Sequence, residues 1–120
     1  MTVAGSDKRQ FKRRSLYYYL QVLDRKTGRE IGRLVDIHVA GLLIISRQSF
    51  KQDQEIDLRI SLDDEALRSL SGKLDVRAVA KWCKQDVNRD YYVTGLQFTE
   101  ISPAQENIIE DLVRIIGFRK

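Results

Sequence analysis

Apolar and polar residues change period several times along this chain, and the changes divide it into short strands and one helix. Glu55-Ile56-Asp57-Leu58-Arg59-Ile60-Ser61-Leu62 alternates strictly, which turns one side of an extended segment to a core and the other to water. Leu16 to Leu23 is rich in tyrosine and leucine and predicts a strand. The polar run Asp24-Arg25-Lys26-Thr27-Gly28-Arg29 follows, with a glycine free to take positive φ, and predicts a hairpin loop. Glu30 to Ile37 predicts the returning strand, with Ile31, Val35 and Ile37 on one face. Past Gly41, Leu42-Leu43-Ile44-Ile45-Ser46 is continuously apolar but too short for a helix, so it predicts a strand buried on both faces. Residues 63–72 fit a helical turn, since acids at its start suit the helix dipole, or a plain loop.

Leu74 to Lys84 and Tyr91 to Phe98 predict a second, longer hairpin around residues 85–90. Leu74, Val76, Ala78, Ala80 and Trp82 fall on one face, with Leu96 and Phe98 as partners across the pair. The period then becomes helical. Ser102 as N-cap, Pro103 at the first helical position and Gln105 completing a capping box start a helix over 102–117. Ile108, Ile109, Leu112, Ile115 and Ile116 form its apolar stripe, and Gly117 is a fitting stop. Many short strands followed by one helix predict a mainly β fold, a small antiparallel barrel or curled sheet with the helix packed on an open end or face.

A length of 120 residues suits one domain, with residues 1–7 expected to be disordered and 8–15 a basic arm leading into the barrel. No apolar run reaches bilayer length and the N-terminus lacks the apolar core of a signal peptide, so no membrane insertion is expected. The single cysteine, Cys83, excludes an internal disulfide and a cysteine-rich zinc site, and points to a reducing, cytoplasmic setting. The net charge of +4 is unevenly spread: residues 8–14 hold five of the 21 Lys and Arg and no acid. Such an arm is either a solvated terminal cluster or an attractor of anionic partners. One histidine, one cysteine and no nucleophile–base constellation argue against an enzyme and leave no catalytic residue to name. His38 has no second ligand placed to make a metal site.

Two motifs carry a resemblance. Arg9-Gln10-Phe11-Lys12-Arg13 is an Arg-x-x-x-Arg pair, and Asp36-Ile37-His38-Val39-Ala40-Gly41 follows Asp/Asn-x-Ser-x-x-Gly except at His38. With Ala80-Lys81-Trp82, Gly95-Leu96-Gln97-Phe98 and the terminal helix in order, nearly the whole chain resembles a PilZ domain, the bacterial receptor module for cyclic di-GMP. The resemblance implies a PilZ-like small antiparallel β-barrel with a C-terminal α-helix. It also implies a non-enzymatic cyclic di-GMP receptor or adaptor in second-messenger signalling, with no cofactor apart from that ligand. The basic arm would close over the ligand and change the surface offered to an unidentified downstream protein.

The implied binding set is Arg9, Arg13, Asp36, His38 and Gly41, and the side chains suit the chemistry. Arginine presents a rigid fork of donors to guanine O6 and N7 or to a phosphate. Asp36 offers acceptors to guanine N1–H and N2–H, besides capping the turn before Gly41. Gly41 allows a turn or a close approach that a Cβ would block. His38 stands where serine is usual, and it could replace the hydroxyl, stack on a guanine or obstruct the pocket. Phe11 is a candidate anchor for the arm, Tyr17, Tyr18 and Tyr19 are expected to pack within the strand, and Trp82 belongs to the core or the pocket rim. Two other functions compete. One is a degenerate PilZ adaptor that contacts protein and no longer binds nucleotide, a reading His38 supports. The other is single-stranded nucleic-acid binding through arm and aromatics, placed last because the barrel body is nearly charge-balanced.

Overall fold

The computed structural model describes residues 20–116. The expected disorder of residues 1–7, the arm over 8–15, the first part of the opening strand and the stop at Gly117 lie outside the described residues. Six strands, β1 (Gln21–Asp24), β2 (Glu30–His38), β3 (Gly41–Ser46), β4 (Glu55–Ser61), β5 (Lys73–Gln85) and β6 (Tyr92–Glu100), close into an antiparallel barrel in the order β1-β2-β3-β6-β5-β4. A 3₁₀ turn at Glu65–Leu67 and helix α1 (Pro103–Ile116) complete the fold. The runs β1-β2-β3 and β4-β5-β6 each pair consecutively, and β3 with β6 and β1 with β4 join the two runs into the ring.

Strand β4 follows its alternation: Ile56, Leu58 and Ile60 fill the barrel while Asp57 and Arg59 face outward. Opposite it on β5, Leu74, Val76, Ala78 and Ala80 are buried, and Ala80 and Ala78 pair with Leu96 and Phe98. The loop at 24–29 is the expected hairpin turn, with Gly28 at φ +77 and its N–H donated to the Asp24 carbonyl at 2.7 Å. Residues 63–72 contain only one short turn, capped by Asp64, whose carboxylate accepts from the Ala66 N–H at 2.9 Å.

Three facial assignments differ from the sequence pattern. On β2 the core residues are Leu34 and Ile37, while Ile31 and Val35 are half-buried. A bulge between Leu34 and Asp36 adds a residue and reverses the inside–outside parity. On β3 only Leu42 and Ile44 are fully buried in the barrel, and Leu43 and Ile45 are half-buried on its outer side. Helix α1 packs chiefly on β2, β5 and the 3₁₀ turn, so among the described residues it does not form a second layer over β3. On β5 the register shifts between Ala80 and Trp82, and Trp82 emerges outside with 42% exposure.

Helix α1 is fixed at its start and along its stripe. The Ser102 N–H donates to Gln105 Oε1 at 2.7 Å and the Gln105 N–H donates to Ser102 Oγ at 3.1 Å, a reciprocal capping box. Gln105 Nε2 also donates to the Asp75 carbonyl at 2.5 Å, which ties the first turn of the helix to β5. Ile109 and Leu112 are wholly buried, flanked by the partly buried Ile108, Val113 and Ile115.

Ion pairs line the outer side of β4 and β5. Arg59 donates twice to the Asp75 carboxylate, at 2.8 and 3.1 Å, and Arg77 donates to Asp57 at 2.8 Å. The Arg59 hydrogen bond holds the Asp75 carboxyl below the usual carboxylate range, and Arg77 does the same for Asp57.

Candidate functional site

Beyond the β2 bulge the strand regains regular pairing: Asp36 stands opposite Leu43, Ile37 opposite Leu42 and His38 opposite Gly41. Ile37 is buried in the barrel, so Asp36 and His38, two residues apart, share the outer face. Asp36 Oδ1 accepts from the Ile37 N–H at 2.9 Å. Its other carboxylate oxygen takes no hydrogen bond or ion pair among the described residues.

His38 caps the connection that follows it. Its Nδ1 accepts from the Ala40 N–H at 3.1 Å. A serine hydroxyl makes the same bond in an ST-turn, from residue i to the amide of i+2. The imidazole therefore caps this turn as a serine hydroxyl in its place could. An accepting Nδ1 carries no proton, so in the neutral ring the proton sits on Nε2, which remains a donor.

Gly41 faces a different demand. A Cβ there would stand 2.1 Å from the Leu96 carbonyl oxygen and 3.1 Å from Gln97 Cα. The close approach that this glycine permits is therefore to strand β6. Trp82 meets β6 in a similar way: its indole lies over Gly95, where a Cβ would come within 2.4 Å of Nε1. Lys84 Nζ lies over the same ring, 5.5 Å from its centroid.

These elements enclose a groove of about 340 Å³, with Asp36, His38 and Gly41 on one side and Lys81, Trp82, Gly95 and Gln97 on the other. It offers a carboxylate acceptor, an imidazole donor, an ammonium and an aromatic plane within one small concavity. Lys81 Nζ also lies 3.9 Å from the Asp53 carboxylate. Three of the five expected site residues are thus brought together; Arg9 and Arg13 lie outside the described residues. The groove also takes in Lys81 and Gln97, which the sequence pattern did not single out as site residues. The signals for them were the stretches Ala80-Lys81-Trp82 and Gly95-Leu96-Gln97-Phe98, but only the β5 bulge turns the tryptophan to the outside.

Two broader concavities lie elsewhere. One, of about 650 Å³, is lined by Glu30, Arg33, Ile45, Arg47 and Tyr91, with the Arg47 guanidinium 5.1 Å above the Tyr91 ring. The other, of about 660 Å³, is lined by Arg25, Arg77, Glu100 and Gln105. Their principal charges are already engaged, Arg33 with Glu30 and Arg77 with Asp57. The smaller groove is the one that gathers the motif residues. Among the described residues no three His, Cys, Asp or Glu side chains are placed to hold a metal ion. No described helix is long and apolar enough to cross a membrane.

The Leu34 N–H donates to the Leu20 carbonyl at 3.0 Å, and β1 runs antiparallel to β2. The chain therefore enters the barrel beside the end of β2 that carries Asp36 and His38.

Comparison with known proteins agrees with this architecture. The family model for the PilZ domain matches residues 7–114. No curated protein matches the chain in sequence. Among solved structures, the chain is similar to the PilZ domain of YcgR from Escherichia coli, solved with c-di-GMP, at a TM-score of 0.61 and 10% identity over 83% of each chain. It is also similar to the Bacillus subtilis inhibitor of motility MotI/DgrA, at a TM-score of 0.58 and 19% identity. That alignment covers 84% of this chain and 47% of the other, so the chain spans about half the length of the Bacillus protein. At these identities the likeness is one of fold.

Proposed function

The chain belongs to the PilZ domain family, and from that premise we propose that it is a non-enzymatic receptor for cyclic di-GMP that passes its signal to a partner protein in the bacterial cytoplasm. The observation that supports this most is the pairing of Asp36 and His38 on one outer face, opposite the exposed Trp82 and beside the entry of the chain into β1. In this reading Asp36 accepts from guanine N1–H and N2–H, Trp82 offers a plane for the base, and Gly41 keeps the floor of the groove tight against β6. Arg9 and Arg13 supply the cationic forks. Seven residues from Arg13 to Leu20 span at most roughly 25 Å, ample for an arginine to reach the groove. Ligand binding orders the arm because the ligand bridges it to the barrel, and the ordered arm is a new surface for a partner.

A second reading, a protein-contacting adaptor that has lost nucleotide binding, is favoured by one observation. His38 commits one ring nitrogen to its own turn and places far more bulk in the groove than a hydroxyl would.

Calorimetry with cyclic di-GMP separates the two. The receptor gives micromolar or tighter binding, and Arg13→Ala and Asp36→Ala each weaken it by at least about tenfold, since each removes a charge-assisted bond. A wild-type protein that releases no heat while His38→Ser binds would establish the adaptor instead.

A further inference from the structure

We propose that the outer face of β3 and β6 is a docking surface for an acidic amphipathic helix of a partner protein, and that this helix and the nucleotide oppose each other's binding. The inference rests on the reading that the chain acts through a partner, which the receptor and adaptor forms share.

Cross-strand register builds the surface. On the outer side Arg33, Ile45, Val93 and Lys84 stand in one row across β2, β3, β6 and β5, an aliphatic pair with a cation at each end. The next row is Asp36, Leu43, Gly95 and Trp82, where the indole lies over the glycine. In the other direction the Arg47 guanidinium stacks on Tyr91. Tyr91, Ile45, Val93, Leu43 and Trp82 thus form an apolar strip from the concavity of about 650 Å³ to the groove of about 340 Å³. Four of them are half-buried and the fifth, Trp82, is exposed.

Charge and topology select the occupant. Arg47 donates to the Tyr91 hydroxyl and Lys84 lies over the Trp82 ring, and neither meets a carboxylate among the described residues. Arg33 is joined to Glu30. The chain's own residues 8–14, with five cations and no acid, are repelled by Arg47 and Lys84. A second copy offers Glu106 and Glu110 of α1, but the described exposed residues of that helix include no large apolar side chain. An extended segment has no edge to join, because β3 and β6 are bonded on both sides within a closed barrel. What fits is a helix laid along the strip, with an apolar stripe at i, i+3, i+4 and i+7 and carboxylates on its flanks. From Leu43 to Arg47 the strip runs roughly 13 Å, the length of about nine helical residues. Leu43 and Trp82 also line the nucleotide groove, and both occupants are anionic, so each weakens the other by the same factor.

The probe is a synthetic helical peptide of about 14 residues with a leucine stripe and glutamate flanks, beside a counterpart with lysine for glutamate. Neither contains tryptophan, so Trp82, the only one in the chain, reports binding by its fluorescence. The glutamate peptide is expected to bind the full chain at least about tenfold more tightly than the lysine peptide, with amide shifts at 43–47 and 91–95. Arg47→Glu combined with Lys84→Glu, both at exposed positions, is expected to reverse that preference. Saturating cyclic di-GMP is expected to weaken the glutamate peptide by at least about fivefold. Binding of neither peptide, equal affinity for both, a preference that survives the double reversal, or shifts confined to other faces overturns the docking surface. Self-association of the chain that shifts the same amides gives the face to a second copy and overturns the partner assignment. Nucleotide that binds without changing peptide affinity overturns the opposition. If the wild type binds no cyclic di-GMP, the receptor function and the opposition fail together, and the peptide preference and its reversal alone decide the docking surface.

Discussion

Gly41 and Gly28 are at opposite extremes of what one methyl group would meet. At Gly41 it would collide with backbone, 2.1 Å from the Leu96 carbonyl oxygen, and relief requires β3 and β6 to move apart. At Gly28 nothing lies within 4 Å, and the only demand is the φ of +77. Gly41→Ala is expected to destabilise by about 3 kcal/mol through overpacking. Gly28→Ala should cost only about 1 kcal/mol through backbone strain. Urea unfolding midpoints at constant m-value measure both, and a larger loss at Gly28 would contradict the close packing of Gly41 on β6. At this scale the sequence was informative about which residues gather in the groove, since Asp36, His38 and Gly41 are set by motif spacing. It was silent on their engagements. That Gly41 serves β6, and that His38 Nδ1 is taken by the Ala40 amide, depend on contacts that spacing does not encode.

Among the elements, those with uninterrupted patterns were legible and those with bulges were not. The alternation over 55–62 and the Ser102-Pro103-Gln105 start of α1 reappear in the structure, because each is enforced locally by burial or capping. The faces of β2 and β5 were misread where a residue is added, between Leu34 and Asp36 and between Ala80 and Trp82. No glycine or proline marks either bulge. One consequence is the outward tryptophan, since without the second bulge Trp82 would face inward with Ala80. In α1, Gln105 has two duties that substitutions can separate. Gln105→Ala removes both the capping bond and the donor to the Asp75 carbonyl, at an expected cost of about 2 kcal/mol. Gln105→Glu keeps an acceptor for the Ser102 N–H but has no donor for Asp75, so it should recover about half of that loss. Recovery of all of it in denaturant titrations would show that the tether to β5 contributes nothing.

For the whole molecule, the outer charges act across strands. Asp57 is approached by Arg77 and Lys26, and Asp75 by Arg59 and Arg25, so the pairs connect β4 and β5 with the loop after β1. Both carboxyls are held below their ordinary value of 3.8, chiefly by the hydrogen bonds from Arg77 and Arg59. A depressed carboxyl contributes stability that is complete above the unfolded value and disappears as pH falls through the folded one. Thermal stability should therefore hold from neutral pH to about pH 5 and fall progressively below about pH 4. Asp75→Asn should lower the melting temperature at neutral pH and narrow the gap between neutral and acid values. Added salt should shrink the contribution further, because the partners are substantially exposed. An acid limb of equal depth in Asp75→Asn would assign the loss to other carboxyls. The ring-closing pairs β3–β6 and β1–β4 were not legible, since they join segments far apart in sequence whose alternation fits several orders of strands.

Strand β1, only four residues long, bonds to β2 on one edge and to β4 on the other. It is the narrowest stave of the cask, yet it is held on both sides, so slackening it alone would spring the hoop that keeps the vessel shut.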